Sequence, residues 1–351
     1  MRARWRVIVG IAISALFLLI AVRGLKLDAF VAALHGADYV WLVPGVAVYF
    51  MAVAARTWRW HYMMRHIRDI PLAPLFRIVC IGYMGNNVYP ARAGEILRSY
   101  VLKQTYGVRM GASLPTVIIE RLFDGLTMLL FVFVALPFVH FESEALAGYA
   151  PLIVWLTLAF VAALVAFLFL AARPETSRWL YGAAIDRFAP RRHHAAARDA
   201  ADRIMLGFES LARGREVFMI FGTSVLVWLF ETCKYWFVMH AFHFEVSFLT
   251  LMLMNGIVNL ATTIPGLPGH WGTFDLPGIA ILVAAGVDQA VATPYTLVLH
   301  VALWLPITAL GAFFLWRAHI DVRQARQSMG REDDTASPGA TGGVRAPETA
   351  S

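Results

Sequence analysis

Residues 86–125 read NNVYPARAGEILRSYVLKQTYGVRMGASLPTVIIERLFDG, and they interrupt an otherwise apolar chain twice. Pro90 and Gly94 break the apolar run that ends at Asn86 and Asn87, and Arg92, Glu95 and Arg98 follow just past the break. Glu120, Arg121 and Asp124 then sit well inside the next apolar run. An ionisable side chain at membrane depth costs roughly 2.5–3.5 kcal/mol on insertion scales unless it pairs or lines a wet cavity. Six of them so close together point to a polar site within a membrane-embedded region.

The rest of the chain supplies that region. Of its 351 residues 59% are hydrophobic and 15% charged, whereas a soluble domain is about 45–50% apolar and about 25% charged. The apolar residues fall in helix-length blocks, which excludes a barrel of short alternating strands. The net charge is +7, and of 30 basic residues only Lys26, Lys103 and Lys234 are lysine. No nucleic-acid motif accompanies this charge, which suits loops facing anionic lipid on the cytoplasmic side. Cys80 and Cys233 lie in apolar segments without metal-type spacing and read as small core residues.

Upstream, Arg2, Arg4 and Arg6 precede an apolar run over 7–22 that lacks a small-residue cleavage site, as an uncleaved first span does. Residues 27–38 form a short amphipathic connector. A second span over 39–58 ends in Arg56, Arg59, Arg65 and Arg68 among Trp58, Trp60 and Tyr62, which reads as a basic cluster and aromatic belt at one membrane face. The run over 75–89 is shorter than the roughly 20 residues a crossing needs. Basic residues flank both its ends, so a re-entrant hairpin is expected.

Downstream, 111–139 and 149–172 are long enough to cross. Residues 173–215 hold nine Arg and five acids around an apolar stripe at Ile204, Phe208 and Leu211. They read as a cytoplasmic amphipathic segment (175–214) on the membrane surface or a solvated connector. The span over 217–240 carries Glu231 and Lys234 one turn apart. A borderline run over 248–264 then ends in Pro265-Gly-Leu-Pro268-Gly269-His270-Trp271-Gly272, followed by Asp275 and a run over 276–287 too short to span alone. No Lys or Arg lies between Lys234 and Arg317, so this second hairpin is expected to open outward. The last span covers 295–316, and the polar tail 327–351 reads as disordered.

The two breaks echo each other: Pro90-x3-Gly94 with Glu95 next, and Pro268-x3-Gly272 with Asp275 close behind, each after an Asn-bearing apolar run. Interrupted segments in corresponding halves with opposite entry point to a transporter site at an inverted-repeat interface. The expected fold is therefore an all-α polytopic membrane protein with about six full spans and two re-entrant broken hairpins, occupying residues 1–320. Both termini face the cytoplasm.

A helix starting after Pro90 would aim free N–H groups and a positive dipole end at an anion. Arg92 and Arg98 offer guanidinium forks for phosphate, with Glu95 pairing to either. Glu120 and Asp124 share a face at i,i+4, while Arg121 can reach an acid on either helix. Counted from Gly111, Glu120 lies about 14 Å along its helix, near the midplane. These charges, and the Glu231–Lys234 pair, also suit a purely structural ion-pair lock, and Arg92 a headgroup anchor. His270 is the histidine singled out as a candidate. There is no His-Glu-x-x-His, Gly-x-x-x-x-Gly-Lys-Ser/Thr or Gly-x-Ser-x-Gly, and no carboxylate-rich cluster for a metal-diphosphate, so neither enzyme chemistry nor a metal or other cofactor is expected.

Asn87-x2-Pro90-x-Arg92-x-Gly94-Glu95-x2-Arg98, then Glu120-Arg121-x2-Asp124, then Pro265-x2-Pro268-Gly269-x2-Gly272-x-Phe274 resemble, in this order, the lysylphosphatidylglycerol synthase transmembrane (flippase-like) family. Asp275 stands where other members often carry Glu or His. The resemblance covers roughly residues 5–320 and implies lipid translocation without the fused synthase that bifunctional members carry. The expected activity is flippase-like movement of a phospholipid, glycolipid, polyprenyl-linked or hopanoid lipid across a bacterial cytoplasmic membrane. The expected partner is a lipid with an anionic or zwitterionic headgroup, with a homodimer left open and no nucleic acid. Alternatives are an intramembrane transferase, or its subunit, acting on a lipid-linked substrate, and a small-solute carrier. Substrate contacts are expected from Asn87, Arg92, Glu95, Arg98, Glu120, Arg121, Asp124, Glu231, Lys234, His270 and Asp275. Glu120 and Asp124 double as proton-carrier candidates.

Overall fold

The computed structural model describes residues 25–89, 93–139, 150–171, 214–264 and 267–318, with scattered positions between 14 and 23 and between 173 and 185. Pro90, Arg92, Pro265, most of the first span, nearly all of the 175–214 segment and the tail lie outside the described residues. Within them every regular element is a helix. In order these are α1 (Leu27–His35), α2 (Leu42–Met64), α3 (Leu72–Val88), α4 (Ala93–Tyr106), α5 (Met110–Ala135), α6 (Ala150–Ala171), α7 (Gly214–Ala241), α8 (Phe248–Ala261), α9 (Asp275–Ala284) and α10 (Gln289–Arg317). Short 3-10 turns lead into α2 (Tyr39–Trp41), follow α5 (Leu136–Phe138) and form part of the second break (Pro268–His270).

Local chemistry sets several helix starts. Ser247 accepts the Thr250 N–H at 3.1 Å ahead of α8, and Asp288 accepts the Ala290 N–H at 2.7 Å ahead of α10. Three described helices, Tyr39–Met64 (with its leading turn), Arg215–Ala241 and Gln289–Arg317, are long and apolar enough to cross a membrane. Helix α5 matches them in length, with 26 residues, but carries the charged trio. Helix α6 is apolar all round, and Trp155, Leu158 and Val165 point outward with no protein cover, a surface suited to lipid rather than water.

Two helical hairpins stand out by length. The first joins α3 (17 residues) to α4 (14), and the second joins α8 (14) to α9 (10). At 1.5 Å per residue their arms run about 25, 21, 21 and 15 Å, all short of a hydrocarbon core roughly 30 Å thick. In the first hairpin the arms touch backbone to backbone: a Cβ on Gly85 would lie 2.6 Å from the Gly94 Cα, and one on Gly94 would collide with the Gly82 carbonyl oxygen. Gly94, expected from the sequence to share the break with Pro90, is the second residue of α4 and the point where that helix touches α3. Small residues allow such approach between membrane helices, where van der Waals packing drives association.

Each hairpin has its own core. Trp60, Met63, Leu75, Ile81, Leu97 and Phe123 bury one cluster around α2, α3, α4 and α5. Tyr235, Leu251, Met254, Leu282 and Tyr295 bury another around α7, α8, α9 and α10. A smaller cluster of Met128, Phe131, Trp228 and Leu253 ties α5 to α7 and α8. Helices α2 and α7 pack along their lengths, as do α3 and α10, which bridges the halves.

Two boundaries shift by six residues from the sequence reading. Helix α2 continues six residues past Trp58, to Met64, and α10 begins at Gln289 rather than Tyr295. The first shift matters chemically. Arg56, Arg59 and Trp60 belong to the buried face of the helix rather than to a belt at its end, since each is 5% exposed or less. Trp58 does face outward, at 45% exposure, as a belt residue would.

Candidate functional site

Helix periodicity builds the site. On α2, Arg56 and Arg59 are i,i+3 neighbours, and on α5 Glu120 and Asp124 are i,i+4 neighbours, so two cations meet two carboxylates face to face. Arg59 reaches Glu120 at 3.2 Å and Asp124 at 2.8 Å, and Arg56 reaches Asp124 at 3.1 Å and Glu231 of α7 at 3.4 Å. Arg98 of α4 pairs with the second oxygen of Glu120, and Lys234 pairs with Glu231. The result is an alternating chain across four helices: Arg98, Glu120, Arg59, Asp124, Arg56, Glu231, Lys234. Arg121 branches from it, 3.1 Å from Asp124 and 3.6 Å from Glu95.

The surroundings complete the desolvation. Trp228 donates its indole N–H to Asp124 at 3.1 Å, while its ring lies 4.7 Å beneath the Arg56 guanidinium. Trp60 lies 4.5 Å under Arg98, and Tyr49 lies 4.8 Å from the Lys234 ammonium. Aromatic faces supply partial negative charge where water is excluded. Among these residues five cations face four carboxylates, so one unit of positive charge is left over.

A cavity of about 150 Å³ opens beside one end of this chain. Arg56, Arg121, Glu231 and Lys234 line it, whereas Arg59, Arg98, Glu120 and Asp124 do not. The ends of both hairpins also line it: Asn86 and Asn87 from the first, and Gly269, His270 and Phe274 from the second. Helix α3 also packs directly on the 3-10 turn of the second break. The Nε of Arg56 and the Oδ1 of Asn86 are buried without a hydrogen-bond partner.

The second break is held from α10. Gly269 and Gly272 adopt φ of 78° and 82°, and His270 adopts 64°, left-handed values that a side chain disfavours. Asp275 accepts the Gly272 N–H at 2.8 Å and faces His300 Nδ1 at 2.8 Å, while His300 Nε2 faces the Gly269 carbonyl oxygen at 2.8 Å. The first break is held from the same helix: Asn87 donates to Thr308 at 2.8 Å, and Trp304 donates to the Asn87 carbonyl at 3.4 Å.

Measured against the sequence, the structure brings Asn87, Arg121, Glu231, Lys234 and His270 to one cavity. It places Arg98, Glu120 and Asp124 in the ion-pair chain beside that cavity, and Asp275 beneath the second break. Glu95 faces Arg121 rather than Arg98, because α4 turns Arg98 toward Glu120. Arg92 lies outside the described residues. Sequence reasoning missed Arg56, Arg59, Trp228 and His300. The i,i+3 spacing of Arg56 and Arg59 within a run that continues apolar to Met64 was the available signal for the first two. For His300 it was an ionisable residue in the middle of the last span.

The model of the lysylphosphatidylglycerol synthase transmembrane region matches residues 7–311. A UPF0104 membrane protein of Methanothermobacter thermautotrophicus is 26% identical over 320 residues, covering 87% of this chain and 92% of that protein. A UPF0104 membrane protein of Methanocaldococcus jannaschii is 22% identical over 338 residues, covering 90% and 96%. The glycosyltransferase AglD of Haloferax volcanii is 25% identical over 126 residues, 36% of this chain but 20% of that protein. With the family model matched over nearly its whole length, the chain belongs to the lysylphosphatidylglycerol synthase transmembrane-region family.

Proposed function

We propose that this protein is a multi-pass lipid translocator of a prokaryotic cytoplasmic membrane, moving a lipid whose anionic or zwitterionic headgroup passes through the cavity between the two broken hairpins. The observation that carries the reading is the cavity lining, where hairpin ends meet Arg56, Arg121 and Lys234, with Glu231 as their lining carboxylate. Irregular backbone at membrane depth is tolerated only where it is buried in protein or lines a wet cavity, and half-helix ends are where transporters bind their cargo. Arg121 is the entry cation, its side chain 33% exposed, and the guanidinium fork suits phosphate oxygens. About six full spans with two hairpins dipping from opposite leaflets, and both termini cytoplasmic, complete the proposed topology.

The test is leaflet exchange in proteoliposomes, read as the fraction of fluorescent phosphatidylglycerol accessible to a membrane-impermeant quencher. Wild-type protein is expected to exchange the lipid, and Arg121→Gln to abolish exchange while eluting as a folded species in detergent. Equal rates in protein-free vesicles, wild type and Arg121→Gln refute the reading. The partial similarity to AglD favours a second reading, transfer of a sugar on a lipid carrier, with the partly exposed Glu95 as the catalytic carboxylate. A covalently altered lipid in mass spectra after incubation with purified protein would select it. Competition by a water-soluble solute would instead select a small-solute carrier.

A further inference from the structure

His300 sits in the interior of α10, 3% exposed, with both ring nitrogens on acceptors. A carbonyl oxygen only accepts, so the contact from Nε2 to Gly269 requires a hydrogen on Nε2. On the other side Nδ1 faces a carboxylate whose second oxygen already takes the Gly272 N–H. Asp275 also occupies the first turn of α9, where the helix dipole favours negative charge. A neutral imidazole has one N–H and can serve Gly269 or Asp275 but not both. The two contacts coexist only when the pair holds one further proton. The rings of Trp271 and Phe274 lie 4.4 and 4.5 Å from the His300 ring, so two π faces cover it, as suits a cation.

We propose that Asp275 and His300 form a proton-binding site whose occupancy sets the conformation of the second break, so that proton movement drives the cavity through its working cycle. The coupling rests on the translocation reading above; the proton site does not. When the proton leaves Nδ1 for water in the cavity, which His300 lines, the ring becomes neutral and its Nδ1 lone pair faces the Asp275 carboxylate. Either that contact opens, or the ring changes tautomer and releases the Gly269 carbonyl. Both routes loosen a break whose backbone is held in left-handed conformations at Gly269, His270 and Gly272. Such strain persists only while its surroundings over-determine it.

The groups that share this space are Arg56 of α2, Arg121 of α5, Glu231 and Lys234 of α7, and His270 on the break itself. The phenols of Tyr49, Tyr83 and Tyr235 line the same cavity. Glu120 and Asp124, the carboxylates expected from sequence to carry a proton, are each bound by two or three guanidinium groups. Asp275 instead faces an imidazole, whose ring nitrogens can both give and take a proton.

The experiment is magic-angle-spinning NMR of protein labelled with 15N-histidine and 13C-aspartate in nanodiscs. A through-space histidine-to-aspartate correlation selects the His300 ring in the wild type without mutation. A shared proton at that correlation, seen as two protonated ring nitrogens or as one beside a protonated Asp275 carboxyl, is the expected result; a singly protonated wild-type ring beside an ionised Asp275 overturns the proton site. In proteoliposomes, exchange of phosphatidylglycerol by the wild type is expected to follow an imposed pH gradient and that of His300→Gln to lose this dependence. Wild-type exchange indifferent to the gradient overturns the coupling. Absence of any exchange, with the shared proton still present, counts against the translocation reading and leaves the proton site standing.

Discussion

Arg59 is a charge committed to the protein interior. It is fully buried, sits between Glu120 and Asp124, and also donates to Ser224 at 2.5 Å. Removing one partner of a buried ion pair costs about 3–5 kcal/mol, because the remaining charge keeps its desolvation penalty. Arg59→Ala is expected to lose that much stability in a denaturant titration in detergent micelles. Arg59→Lys recovers only part of it, since a single ammonium does not reproduce a fork that serves two acids. Arg121→Gln, on a one-third exposed side chain, is expected to cost about 1 kcal/mol or less. Equal losses for Arg59→Ala and Arg121→Gln would contradict the division between a buried lock and a cavity-facing end. The sequence showed that Glu120, Arg121 and Asp124 were too costly to be incidental. It did not show their partners, because Arg56 and Arg59 precede Asp124 by more than sixty residues and meet it only through helix packing.

Among elements, the hairpins were the most legible. Their short apolar arms and Pro/Gly breaks are local features, and the helices found over 72–88, 93–106, 248–261 and 275–284 follow them closely. The role of Gly94 was not local, since it depends on how near α3 comes. Gly94→Leu is expected to separate α3 from α4 and lower the thermal midpoint of the detergent-solubilised protein, whereas Gly222→Leu on α7, with open space around its missing Cβ, is expected to leave it unchanged. Matching midpoints for the two variants would remove the backbone-contact account. The reach of α2 was misjudged for a related reason. Three arginines in ten residues read as the end of a span when each is assumed to seek water, yet two of them find carboxylates inside.

At the scale of the whole molecule, the cavity joins two half-structures, each with a separate core. An anionic ligand that binds there contacts both, so it should stabilise the fold by mass action, about 2.7 kcal/mol at a hundred times its dissociation constant. Short-chain phosphatidylglycerol is expected to raise the thermal midpoint of the wild type, and the neutral detergent alone is not. Arg121→Gln is expected to remove the increment while keeping its ligand-free midpoint close to wild type. A rise of the same size in Arg121→Gln would place the ligand elsewhere.

What the sequence determined by itself is the class of molecule: a helical membrane protein with two broken segments and more ionisable residues at depth than lipid tolerates unpaired. Hydropathy, charge and helix-breaking residues act over a turn or two of chain, so they can be read in one dimension. Only the tertiary structure decided which charges pair, that Glu120 and Asp124 belong to the lock while Arg56, Arg121 and Lys234 face the cavity, and that His300 reaches across to Asp275. Those outcomes depend on which helix faces approach one another, and in a molecule whose apolar surface is as content in lipid as in protein, close packing at small residues and buried ion pairs, rather than hydropathy, settle that choice.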